Sequence, residues 1–239
     1  MRVAIHGPGR LGRSLAEALR RAGAEVSLTG RGEVPAPAAV TLLTVPDRAL
    51  AAVSAAIRVE GVLLHCSGAL SHEVLRPHNP AGSLHPLMTY PGPEVAPPLF
   101  EGVPAAISGD VEARGAAARL ADLLGMSPFR APADRALYHA AAVVAGNLGA
   151  ALLLEGGDIL RAAGIEDGER LLLPLALASL RNAAHTPSAA LTGPAARGDL
   201  EVLGAHLRAL DEQGLNSARQ VYETLSRRIL QRAHRGEEP

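Results

Sequence analysis

Gly7-Pro8-Gly9-Arg10-Leu11-Gly12 stands between a β-branched, apolar run, Arg2–His6, and an amphipathic stretch, Leu11–Ala22, with Leu11, Leu15, Ala18 and Leu19 on one face. G-x-G-x-x-G alone is a weak pattern, but between a strand and a helix at the start of a βαβ unit it has the context a dinucleotide-binding turn requires. Gly7 permits the tight turn, Gly9 lets the backbone approach a pyrophosphate, and Gly12 lets the helix pack close to the strand. The helix start at Arg10 and Leu11 presents unpaired N–H groups and a partial positive charge to phosphates.

The grammar continues as α/β. Further strands are expected at Glu25–Thr29, Val40–Val45, Val62–Cys66 and Val103–Ser108. Helices are expected over Arg48–Ile57, with Asp47 as N-cap, and from Asp110 to Leu124, where Gly125 stops the helix. Alternating strands and helices imply a Rossmann-type, doubly wound, mostly parallel sheet with right-handed crossovers. Pro86 to Pro98 reads as a long Pro-rich loop lining a cleft or forming a lid. Beyond Pro132 no β-run appears; helices are expected at Ala133–Gly164, with a break near Gly156-Gly157, then at Glu166–Ala184, Asp199–Glu212 and Asn216–His234. The expected division is a dinucleotide domain over 1–132, an all-helical substrate and dimerisation domain over 133–235, and a frayed tail at 236–239. Ala140–Leu154 and Leu171–Leu180 are too apolar for the surface of a small monomer, which implies a homodimer formed through the C-terminal helices.

Composition removes several classes of function. The chain has 2 Phe, 3 Tyr and no Trp, which excludes the base-stacking readers of single-stranded nucleic acid. Twenty-three basic residues against 24 acidic ones give no electrostatic case for nucleic acid or an anionic membrane. Every basic residue is Arg, so Schiff-base, P-loop and general-acid lysines are impossible. Cys66 is the only cysteine, which rules out an intramolecular disulfide and a multi-cysteine metal site. The N-terminus lacks the apolar stretch of a signal peptide, and the longest apolar run, broken by Gly146, Asn147 and Gly149, is shorter than the ~20 residues needed to span a bilayer. A soluble, cytoplasmic protein is expected.

The second strand ends in Thr29-Gly30-Arg31, where an NAD site would place an acid; the nearest, Glu33, lies two residues beyond Arg31. Arg31 can fork onto a 2′-phosphate and the Thr29 hydroxyl can add a bond, which favours NADP as cofactor. Ligands of such sheets bind outside the carboxyl ends of the strands, so Val45 and Pro46 would face the nicotinamide ribose and Ser67 the reacting end. His139 and Asn147, eight residues apart on one helix, fall within about 80° and about 12 Å of rise of each other. His139 is placed to exchange a proton near neutral pH, Asn147 to bond a substrate or an opposing helix, and His85 to be carried over the nicotinamide by the Pro-rich loop. Thr192-Gly193-Pro194 with Arg197 and Asp199 is a polar turn between helices that could supply a hydroxyl and a guanidinium to an acidic substrate, read mainly as Asp199 capping the next helix and pairing with Arg197. His6, Arg48, His72, His78, His185 and His206 show no metal-ligand spacing and read as surface or structural residues.

Several of these motifs occur together in one known group. The Gly7–Gly12 turn, Val45-Pro46-Asp47, His65-Cys66-Ser67-Gly68, Ser83-Leu84-His85-Pro86, Tyr138-His139-Ala140-Ala141-Ala142 and Leu191-Thr192-Gly193-Pro194 with Arg197-Gly198-Asp199 resemble, in order, a family pairing a Rossmann-like domain with an all-helical C-terminal domain of unknown function. In layout that family is similar to pyrroline-5-carboxylate reductase, ketopantoate reductase and the deazaflavin-dependent NADP reductases, and its helical domain to that of 6-phosphogluconate dehydrogenase. The resemblance implies an NADP-linked fold that dimerises through its helical domain, with no fixed substrate. Ketopantoate reductase and the β-hydroxyacid dehydrogenases use an interdomain lysine that this chain lacks. The expected function is lysine-independent hydride transfer between NADP(H) and a small carbonyl or imine substrate. The alternative is an NADP(H)-binding sensor or scaffold without turnover.

Overall fold

β1 (Arg2–His6) is buried from Val3 to His6, the burial of a strand covered on both faces. β2 (Glu25–Thr29) and β3 (Val40–Leu43) pair with it in parallel on either side, Val3 standing opposite both Val26 and Val40. The computed structural model describes residues 1–96, 99–187 and 190–235. The last two residues of the Pro-rich loop, Pro97 and Pro98, and the 236–239 tail lie outside them. β4 (Val62–His65), β5 (Ala81–Pro86), β6 (Pro104–Gly109) and β7 (Ser127–Arg130) complete a seven-stranded sheet of order β2-β1-β3-β4-β5-β6-β7. All neighbours are parallel except β5 and β6. The sheet is the mostly parallel, Rossmann-type one expected.

Two strands escaped the sequence pattern. β5 reads AGSLHP, with a glycine and a terminal proline, and β7 reads SPFR with every residue exposed. Neither shows apolar alternation, and the proline of β7 is tolerated because the strand lies at the sheet edge. His85 therefore belongs to β5 rather than to a loop after a strand end.

α1 (Arg10–Arg21) and α3 (Val111–Leu123) pack on one face of the sheet. Leu15 and Leu19 of α1, and Ala113, Ala116, Ala117 and Leu120 of α3, join Val3, Ile5, Leu42, Leu64 and Leu84. The small α3 side chains let that helix lie close to the strands. Leu50 of α2 (Leu50–Ala56), with Ile57, Leu63 and Leu75, fills the opposite face. α2 is shorter than expected, and Asp47 does not cap it: Pro46 takes the extended conformation (φ −56°, ψ 145°), so Asp47 is drawn into a 3-10 turn, Asp47–Ala49. A second such turn spans His72–Leu75.

α4 (Arg135–Val143) starts at Asp134, whose carboxylate accepts the Leu137 N–H at 2.9 Å. A π turn, Val144–Leu148, leads into α5 (Gly149–Ala162), so one helix runs from Arg135 to Ala162. Gly146, Asn147 and Gly149 do not end it, although Gly146 and Asn147 fall in the π turn. Its most apolar 18-residue stretch has a mean hydropathy of 1.6 and no buried residue, so by length and composition the helix could cross a membrane. The run read as too short for that is part of a 28-residue helix. Nor does it break at Gly156-Gly157: Gly157 is where α6 (Gly168–His185) crosses closest, and a β-carbon on Gly168 would meet the Gly157 backbone at 2.9 Å. α7 (Pro194–Arg197), α8 (Leu200–Glu212) and α9 (Asn216–Arg235) follow, and Asp199 caps α8 by accepting the Val202 N–H at 3.2 Å. Contacts separate the chain into two compact units, Met1–Gly146 and Asn147–Pro239, which places α4 with the sheet.

Candidate functional site

At the carboxyl ends of β1, β2 and β3 a cavity of about 700 Å³ opens, walled by Gly7, Pro8, Gly9, Arg31, Glu33, Val45 and Pro46, with an apolar side of Ala49, Val53, Ala56 and Ile57. Its floor is built by the glycines. Gly7 has φ +119°, and a β-carbon on it would lie 2.8 Å from the Thr44 carbonyl. The Thr44 hydroxyl donates to the Gly7 carbonyl at 2.7 Å, and the Gly7 N–H to the Thr29 carbonyl at 2.9 Å, which locks the turn across three strands. A β-carbon on Gly12 would strike the Gly7 carbonyl and the Thr44 hydroxyl. One on Gly9 would meet nothing within 4 Å. Gly9 faces open space above the start of α1, the direction from which a phosphate reaches the free N–H groups.

Five of the ten residues expected to hold a dinucleotide line this cavity: Gly7, Gly9, Arg31, Val45 and Pro46. The other five are placed differently. Gly12 is buried beneath the turn, Leu11 packs against the core, and Arg10 is exposed at the start of α1. The Thr29 hydroxyl is bonded to His6 Nδ1 at 3.1 Å and donates to the Ile5 carbonyl at 3.4 Å. Ser67 Oγ accepts the Ala69 and Leu70 N–H groups at 3.2 and 3.0 Å and shapes the loop after β4. Sequence reasoning passed over Arg58 and gave Glu33 no role, although both line the cavity. Glu33 accepts the Gly30 N–H at 2.5 Å, which folds the turn after β2 back over the mouth.

Further along the strand edge, the ends of β4 and β5 meet the first turn of α4. His85 Nδ1 is bonded to the Tyr138 hydroxyl at 2.8 Å, and the His85 and His139 rings lie edge to face with centroids 6.2 Å apart. Gly68, in the loop after β4, lies directly against these rings: a β-carbon there would lie 2.6 Å from His139 Cδ2 and 2.8 Å from His85 Nε2. Burial, with the nearby Arg135 and His139 adding to it, pushes His85 down to about 4, so its imidazole is neutral at pH 7. Burial pushes the Tyr138 phenol up, against the pull of Arg135. The neutral imidazole and the protonated phenol share one hydrogen bond, whose direction depends on the imidazole tautomer.

Arg135 was not anticipated. It is 5% exposed, and its Nε and Nη2 donate to the Gly68 and Ser67 carbonyls at 3.0 and 2.8 Å. It pins the β4 loop to α4, where Gly68 lies against the His85 and His139 rings. The helical repeat carried the signal: Arg135, Tyr138 and His139 are i, i+3 and i+4 behind the Asp134 cap. His65, fully buried, accepts the Ser67 N–H at Nδ1, and burial lowers it to about 4. Cys66 is buried, and its thiol is pushed up to about 12, so it is not a nucleophile. Asn147 is exposed in the π turn, within the second unit, and that turn interrupts the α repeat from which its spacing to His139 was reckoned. Among the described residues no three His, Cys, Asp or Glu side chains are grouped to hold a metal.

A glycine turn under an open cavity at the carboxyl edge of a mostly parallel sheet, followed among the described residues by helices without strands, defines a Rossmann-type fold with a helical C-terminal region. Residues 103–229 match the family described as domain of unknown function DUF2520, more than half of the chain, and the chain belongs to that family. No curated protein matches it. Among solved structures it is similar to a Bacteroides fragilis protein named as a candidate NADP oxidoreductase (24% identity, 97% of this chain and 98% of that one, TM-score 0.81). It also resembles a reductive aminase from Aspergillus terreus solved with NADPH and ethyl-5-oxohexanoate (15%, 99% and 96%, TM-score 0.72). A third is 1-pyrroline-5-carboxylate reductase from Streptococcus pyogenes (14%, 98% and 98%, TM-score 0.59). At these identities the likeness is one of fold.

Proposed function

We propose that the chain is an NADP-dependent oxidoreductase that moves hydride between the nicotinamide and a small carbonyl or imine compound. The observation that carries this reading is the cavity over Gly7 and Gly9: it is open where a pyrophosphate would lie and has a guanidinium, Arg31, on the wall beyond the end of β2. The residues present fit the cofactor. Gly9 and the first N–H groups of α1 would take the pyrophosphate, Arg31 the 2′-phosphate, and Val45 and Pro46 would direct the remainder along the strand edge toward Gly68. The reduced cofactor supplies hydride; the protein supplies position and a proton. His139, standing against Gly68, is the group proposed to exchange that proton, with the hydrogen-bonded His85–Tyr138 pair beside it and His85 the alternative acid–base group. Asn147 remains proposed for orienting the substrate.

The helical region would act by pairing two copies. Leu152, Leu154, Leu171, Leu173, Leu175, Leu177 and Leu180 of α5 and α6 are all more than 40% exposed, a set of side chains that a second copy of the chain would cover.

Titration calorimetry with NADPH and NADH, on the native chain and on Arg31→Ala, tests the cofactor. Loss of the bidentate phosphate contact weakens NADPH by about tenfold or more and leaves NADH nearly unchanged. NADPH oxidation across a panel of ketones, aldehydes and cyclic imines tests the chemistry. His139→Ala is expected to lower turnover with NADPH affinity intact. Tight cofactor binding with no turnover by any compound would establish the sensor reading instead, and no affinity for either dinucleotide would end both.

A further inference from the structure

A second cavity, of about 470 Å³, lies away from the dinucleotide cavity in the same unit, lined by Ser71, His72, Ser108, Arg114, Arg130 and Arg135 together with Gly109 and residues 131–133. Three guanidiniums and an imidazole share it, and no carboxylate lines it. The acids close by are already engaged. Asp110 receives Arg76 at 2.9 and 3.0 Å and the Ala81 N–H at 2.8 Å; Glu73 receives Arg76 at 3.2 Å and His72 Nε2 at 3.0 Å; Asp134 caps α4. Among the described residues, no acid lies within ion-pair distance of Arg114, Arg130 or Arg135. Arg114 gives one N–H to the Gly109 carbonyl.

Arg135 supplies the second observation. Its Nε and Nη2 are spent on the β4 loop, while Nη1 is buried with no hydrogen-bond partner. A buried guanidinium with no counter-charge and an unspent donor is costly, and an anion in the cavity it lines would relieve both deficits. The hydroxyls of Ser71 and Ser108 add neutral donors at the rim.

We propose that this cavity binds the phosphate group of a small phosphorylated compound. Three arginines match a dianion better than a single carboxylate, their donors suit tetrahedral oxygens, and the volume leaves room for an organic body beyond the phosphate. The proposal stands apart from the dinucleotide reading and does not require it.

Calorimetric titration of the full chain with inorganic phosphate and with glycerol 3-phosphate, run with saturating NADPH and at fixed ionic strength against succinate, tests it. Phosphate is expected to bind at millimolar concentration or below, glycerol 3-phosphate more tightly, and succinate more weakly than either. Arg130→Gln and Arg114→Gln, both at exposed positions, are each expected to weaken phosphate by about fivefold to tenfold without lowering the melting temperature. Absence of binding, binding that NADPH abolishes, binding that both variants leave unchanged, or succinate bound most tightly would each overturn the assignment. Should NADPH itself fail to bind, the two variants still decide the matter.

Discussion

Gly9 and Gly12 lie three residues apart in one motif and are needed for different reasons. A methyl on Gly12 collides with the Gly7 carbonyl and the Thr44 hydroxyl, so Gly12→Ala must push α1 off β1. We expect it to cost about 2 kcal/mol or more, as overpacking does, seen as a lower urea midpoint. A methyl on Gly9 enters open space. Gly9→Ala should unfold like the native chain and yet lose NADPH affinity in calorimetry, because it fills the volume a pyrophosphate needs. His65 makes a separate prediction. Its folded pKa is about 4 against 6.5 in the unfolded chain, so the unfolded state takes up the proton first as the pH falls. Stability is complete above about pH 6.5, declines toward pH 4 and then levels, by up to about 3 kcal/mol from this residue. His85 is lowered in the same way. Urea midpoints measured across that window should fall, and His65→Gln should flatten the fall; a flat native profile would show that neither imidazole is held neutral.

α4 does its work through its first turn. Asp134 caps it, Arg135 ties it to the β4 loop, and Tyr138 and His139 face His85 and Gly68 from the same side. Asp134→Ala should cost about 1 kcal/mol in urea unfolding, the usual loss of an N-cap. Because the cap positions the start of the helix, it should also lower turnover more than NADPH affinity. The elements that sequence reasoning missed share a cause. β5 and β7 are held by pairing with neighbours on both sides or at an edge, and Gly82, Pro86 and Pro128 leave no alternating apolar pattern to read. The helix from Arg135 to Ala162 was underestimated for the converse reason: its glycines look like breaks, yet Gly157 serves a close helix crossing with Gly168.

The exposed leucines of α5 and α6 set the expectation for the assembled protein. Analytical ultracentrifugation of the full chain without detergent should give a dimer, and Leu175→Glu with Leu180→Glu should return monomers that keep their helical circular dichroism. A chain soluble only in detergent would instead place the long helix Arg135–Ala162 in a bilayer, which its length and hydropathy permit.

The strand–glycine–helix opening, the sheet class, the all-helical second half and the guanidinium after β2 could all be read along the chain. Each is a local pattern of spacing, backbone freedom or periodicity that holds wherever the segment lies. The pairing of His85 with Tyr138, the burial of Arg135 and the second arginine-lined cavity could not be read that way. The first two join residues 53 to 68 positions apart, and the cavity gathers residues from Ser71 to Arg135, so only folding brings those partners together.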